Sequence, residues 1–139
     1  MIYILDSGIN IEHERFTGRA ENFNGQAFSR YVNGASAADD SNHGTLVAGV
    51  AGAEDYGVAQ SARLVNVKVS RDGVISHKGV ADAINDVVNQ HIAWRRDPHA
   101  GTPFVWRGSV INISIDFSTG NSREISDALR YAAKEGIRE

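Results

Sequence analysis

The 139-residue chain contains no cysteine. Disulfides, thiolate metal sites and thiol nucleophiles are thereby excluded, and the compartment is left open. Proline is nearly absent as well: there are two, and both fall between Arg95 and Gly108, which reads as a loop. There is no basic excess. Lys and Arg number 14 against 17 Asp and Glu, for a net charge of -3, and no basic run occurs, so nucleic acid is not expected as a partner. No apolar run approaches the roughly 18 residues of a membrane span, so no membrane partner is expected either. Met1 is followed at once by a strand-like run with no basic region before it, so no secretory signal is read and localisation stays open. What remains, 42% hydrophobic and 22% charged, is the composition of an ordinary globular domain.

The most unusual stretch present is Asn42-His43-Gly44-Thr45-Leu46-Val47-Ala48-Gly49-Val50-Ala51-Gly52. Ser41 and Asn42 are good N-cap residues, which places His43 in the first turn of a helix. Each glycine costs such a helix about 1 kcal/mol relative to alanine. The composition therefore predicts a buried helix on which other backbone packs closely. An imidazole at the end of such a helix needs a partner.

Around it, apolar runs alternate between two periods. Ile2-Tyr3-Ile4-Leu5 reads as a buried strand ending in the turn-forming cluster Asp6-Ser7-Gly8. Ala20 to Phe23 is a candidate short strand, and Gly25 to Asp40 reads as a loop. Arg63 to Val69 is the clearest strand by β-branched content. Asp72-Gly73 marks a turn. Ser76 to Trp94 reads as a helix, with Val80, Ile84, Val87, Val88, His91 and Ile92 at helical spacing, which makes His91 a core-edge residue. Ser109 to Ile115 reads as another buried strand. Asn121 caps a helix running to about Lys134, Gly136 ends it, and Ile137 looks like the start of a further strand. Strands alternating with helices predict an α/β fold: three layers, with a mostly parallel sheet covered by helices on both faces.

Two polar residues stand where catalysis is suited. Asp6 follows the first strand, and the carboxyl ends of strands are where open α/β sheets carry their chemistry. His43 begins a helix. An aspartate beside a histidine fixes one tautomer and stabilises the imidazolium formed on proton transfer. His13 lacks the second histidine of a zinc helix and is read as a surface turn, and no metal ligands are assigned. No Gly-x-Gly-x-x-Gly or phosphate-loop pattern supports nucleotide binding.

These residues carry a family resemblance. Ile2-Tyr3-Ile4-Leu5-Asp6-Ser7-Gly8-Ile9, with His13 following, resembles the aspartate motif of subtilisin-type serine endopeptidases. His43 to Gly52 resembles their histidine motif throughout, and the likeness is greatest to the proteinase K branch. Phe16 to Ala20, Tyr56 to Ala59, Val65 to Val69 and Val110 to Ser114 agree in order and spacing. The resemblance implies that Asp6 orients His43 and that His43 serves as general base for a serine. It implies that an extended polypeptide substrate lies between Gly73-Val74-Ile75 and Ser114-Ile115-Asp116, in the mode of strand addition. It allows calcium without assigning ligands, and it implies no other cofactor. Relatives are often secreted.

The departures are as informative. No Gly-Thr-Ser-Met-Ala type motif supplies a nucleophile, and no oxyanion asparagine is found. Asn112 lies within a strand and is not given that role. Asp116 stands where the family usually has glycine, and a carboxylate there disturbs the pocket or selects basic residues, the first being favoured. The chain is therefore read as the N-terminal part of such a domain, a partial peptidase domain over residues 1–139 that is inactive alone. A complementing C-terminal segment, or self-association through an open sheet edge, is the expected partnership. The alternative is a non-catalytic peptide- or partner-binding relative.

Overall fold

The computed structural model describes residues 1–23, 30–34, 36–99, 104–116 and 122–139. Four strands, β1 (Ile2–Asp6), β2 (Ala20–Asn22), β3 (Leu64–Lys68) and β6 (Val110–Ile113), form a sheet in the order β2-β3-β1-β6, every neighbouring pair parallel. β4 (Ser70–Arg71) and β5 (Val74–Ile75) form a separate antiparallel hairpin. Its two-residue turn, Asp72-Gly73, has positive φ at both positions (50° and 75°). That is the turn whose twist matches a tight hairpin.

The period-2 pattern of β1 sorts the core into two layers. Tyr3 and Leu5, with Val65, Val67 and Val69 from the β3 region, pack on one face against α2 (His77–Arg96) and α3 (Arg123–Glu135). Ile4 and Leu64 pack on the other face with Ala48 of α1 (His43–Gly52), Ile9 and Phe16. Helices thus cover both faces, and the three-layer α/β expectation holds. Burying each such aliphatic side chain is worth about 1.5–3 kcal/mol. His91 lies in the α2–α3 layer with its Nε2 3.1 Å from the Glu135 carbonyl, and burial holds its imidazole below the usual histidine range.

Three local expectations are corrected. α1 is not wholly buried, because Leu46 and Val50 are 71% and 68% exposed. β6 is shorter and more open than a buried strand, with Val110 at 40% exposure. Among the described residues its outer side is met at its start, where Arg138 bridges Val110 in parallel and its carbonyl accepts from the Ile111 N–H at 2.8 Å. In place of a strand starting at Ile137 there is a single bridge, at Arg138. Ser122 caps α3, its hydroxyl accepting from the Ile125 N–H, while Asn121 lies outside the described residues. Gly136 closes α3 at φ 91°, as its position predicts.

Candidate active site

Asp6 is the last residue of β1 and is 2% exposed. Its Oδ1 accepts from the Ser7 N–H at 2.7 Å and lies 2.8 Å from His43 Nδ1. The strand thus delivers its carboxylate onto the first residue of α1. A carboxylate accepts only, so the shared proton sits on Nδ1, and in the neutral imidazole Nε2 is then the acceptor. The imidazole is 55% exposed. Asp6 Oδ2 is buried with no hydrogen-bond partner among the described residues.

The start of α1 is held by groups far from it in sequence. Asn42 occupies the N-cap position in the left-handed region (φ 63°) and its side chain makes no capping bond, contrary to expectation. Ser41 contributes weakly, its hydroxyl accepting from the His43 N–H at 3.3 Å. The stronger caps are Ser7, whose Oγ accepts from the Gly44 N–H at 3.0 Å, and Asp39, whose Oδ2 accepts from the Thr45 N–H at 2.9 Å and from the Thr45 hydroxyl. Asp39 Oδ1 also accepts from the Ser7 hydroxyl at 2.8 Å and from the Asn42 N–H at 3.0 Å. Strand end, loop and helix start are thereby one network, and Asp39 also complements the positive end of the helix dipole.

Partial burial raises the Asp39 carboxyl, but the hydrogen bonds from Thr45 and Ser7 and from backbone N–H groups outweigh it and hold it below the usual carboxylate range. A depressed folded value means stability that is present above the unfolded range and lost as pH falls through the folded one. Asp39→Ala is therefore expected to cost about 1–2 kcal/mol at neutral pH. The gap between variant and wild type narrows as pH falls below about 4. Urea unfolding at pH 7 and pH 3 measures this, and a gap independent of pH would contradict it.

The two segments expected to flank a peptide follow the carboxyl ends of the strands on either side of β1. Gly73, Val74 and Ile75 belong to the hairpin after β3, with Val74 66% exposed. Ser114, Ile115 and Asp116 follow β6, with Ser114 and Asp116 exposed. The sheet order puts Asp6 between them. Among the described residues no group of three or more His, Cys, Asp or Glu is placed to hold a metal ion. No helix among them is long and apolar enough to cross a membrane.

The sequence alone did not single out Ser7, Asp39, Thr45 or Lys68. The signal for Asp39 was its place four residues before His43, within reach of a first helical turn. Ser7 and Lys68 carry no local signal, because their partners are distant in the chain.

A buried aspartate on the Nδ1 side of a half-exposed imidazole, at the carboxyl edge of a parallel sheet, has the geometry that general-base pairs of hydrolases use to activate a hydroxyl. Residues 1–136 match the family described as the Subtilase family. Alkaline protease 1 of Aspergillus flavus is 33% identical over 135 residues, covering 97% of this chain and 29% of that protein. Subtilisin-like protease 2 of Pseudogymnoascus destructans is 44% identical over 87 residues, covering 62% of this chain and 20% of that protein. Among solved structures, a cold adapted subtilisin-like serine proteinase superposes with a TM-score of 0.73 at 29% identity, covering 98% of this chain and 43% of its own. Sphericase gives 0.74 at the same identity and coverage. The chain belongs to the subtilase family, and its α/β fold is part of a subtilisin-like domain. It spans about 29% of the length of the Aspergillus relative and about 43% of the structural ones.

Proposed function

We propose that residues 1–139 are a partial subtilisin-like serine endopeptidase domain that supplies Asp6 and His43 of an Asp-His-Ser triad. The serine and the oxyanion donor come from a further, C-terminal segment. The observation that carries this reading is the 2.8 Å contact between the buried Asp6 Oδ1 and Nδ1 of the half-exposed His43 ring.

In this reading Asp6 fixes the tautomer, so Nε2 takes the proton of the serine hydroxyl as its oxygen bonds to the peptide carbonyl carbon. Nε2 then gives that proton to the leaving amine as the C–N bond breaks. Water releases the acyl group by the same route. The polypeptide substrate lies as an added strand between Gly73-Val74-Ile75 and Ser114-Ile115-Asp116, held by main-chain bonds.

The complementing segment is accommodated by two features. β6 ends the sheet order, and among the described residues no strand lies beside its outer edge beyond the bridge at Val110. The exposed face of α1, Leu46 and Val50 with nearby Tyr56 and Val58, is apolar and follows directly on His43. A patch of large apolar side chains marks an interaction surface more often than free surface.

The isolated chain is expected to cleave no casein and to take no label from a fluorophosphonate, which reacts with activated serines. Addition of the C-terminal segment is expected to restore both. Labelling and cleavage by the pure isolated chain would overturn the division of the triad. The second reading, a relative that binds peptide without hydrolysing it, is favoured by the exposed Asp116 carboxylate on the expected cleft floor. Peptide binding without turnover by the completed domain would select it.

A further inference from the structure

Lys68 is a lysine buried to 1% exposure, and the pair chemistry does not use it. It ends β3 in parallel register with Asp6, so both side chains leave the same face of the sheet, toward α1. Its ammonium donates to the Ser7 carbonyl, the Ala38 carbonyl and Asp40 Oδ2, each at 2.6 Å. Three donors meet three acceptors, which exhausts the group's capacity. The side chain of Asp40 is 28% exposed.

A buried ion pair is weak evidence for stability, since a packed aliphatic chain often does as well. What an aliphatic chain could not do is join these acceptors. Ser7 follows Asp6 and caps α1 through Gly44. Ala38 and Asp40 flank Asp39, the other cap of the same helix. One ammonium from a third element thus grips both segments that set where Asp6 and His43 lie.

We propose that Lys68 is a positioning residue, whose ammonium ties the segment after β1 to the segment before α1 and thereby holds His43 against Asp6. This rests on the reading of Asp6 and His43 as a working pair. The probe is the His43 Nδ1–H proton, observed by NMR in the full chain, where a hydrogen bond to carboxylate shifts it far downfield and slows its exchange. Lys68→Met is expected to speed that exchange by about tenfold or more, while amide protection at Tyr3 and Val67 persists. Asp40→Asn, which weakens one of the three bonds, is expected to give an intermediate rate. A purely structural role would lower the melting temperature and leave the exchange of this proton unchanged in both variants, and that result overturns the proposal. Should Lys68→Met fail to fold, Asp40→Asn decides alone: faster exchange supports the proposal and an unchanged rate overturns it. If the downfield proton is absent from the wild type, the pair reading fails and Lys68 has nothing to position. If it is present and unaffected by either variant, only the role of Lys68 fails.

Discussion

If the proposed function holds, replacing His43 by alanine in the domain completed with its serine-bearing segment is expected to lower kcat by about 10⁶-fold, and Asp6→Ala by about 10⁴-fold. These magnitudes are carried over from subtilisin, a member of the same family, in which the triad residues were removed singly. The order follows from the geometry. In the proposed mechanism His43 carries the proton in both directions, so nothing replaces it. Asp6 acts through His43, by holding its Nδ1 at 2.8 Å, and without it the ring still carries a lone pair in the other tautomer or orientation. KM is expected to change little, because the proposed substrate affinity comes from main-chain pairing along the two flanking segments. Steady-state kinetics on a chromogenic peptide measures both constants. A loss below about tenfold for His43→Ala would mean that hydrolysis runs through other groups.

Gly44→Ala is expected to destabilise the chain by about 3 kcal/mol or more, or to prevent folding. A Cβ built on Gly44 lies 2.1 Å from the Gly8 carbonyl oxygen and 3.1 Å from Asp6 Cβ. The first contact is with backbone, so no side chain can rotate away, and α1 must move off the end of β1. Gly8 is constrained in turn, with φ 116° and its own ideal Cβ position 2.7 Å from the Ala38 carbonyl oxygen. The shift separates His43 from Asp6, so the variant loses the pair along with stability. Gly49, one and a half turns further along the same helix, is the control. A Cβ there meets nothing within 4 Å. Gly49→Ala is therefore expected to stabilise the isolated chain by about 0.5–1 kcal/mol, since it removes backbone entropy from the unfolded state. Urea unfolding of the two variants reads opposite signs for the same chemical change. A Gly44→Ala effect within about 0.5 kcal/mol of wild type would contradict the close approach.

Much of this fold is legible in the sequence because it is written in side-chain periods. Ile2 to Leu5 and Leu64 to Lys68 carry the β-branched content of a parallel strand buried on both faces, and α2 carries an apolar stripe from Val80 to Val88. The small-residue run after His43 foretold a close backbone approach, which Gly44 and Gly8 supply. It also suggested full burial, which Leu46 and Val50 do not have. Those two stand at i and i+4 and form an apolar stripe, and such a stripe records that a face is to be covered without naming the cover.

The supporting network was not legible for a different reason. Local pattern assigns a cap to the nearest polar residue, here Asn42, whereas Ser7 reaches Gly44 from 37 positions away. Lys68 is one position of the Arg63 to Val69 strand pattern, and nothing near it in sequence points to the acceptors at Ser7, Ala38 and Asp40. Side chains whose partners are set by tertiary structure leave no trace in a window of a few residues.

The most direct measurement of the Asp6–His43 contact is the proton spectrum of His43 in the wild type and in Asp6→Ala. A carboxylate bonded to Nδ1 predicts a far-downfield Nδ1–H in the wild type that vanishes from the variant while the fold persists. A wild-type spectrum without that proton, or one that Asp6→Ala leaves unaltered, would contradict the pairing on which the peptidase reading stands.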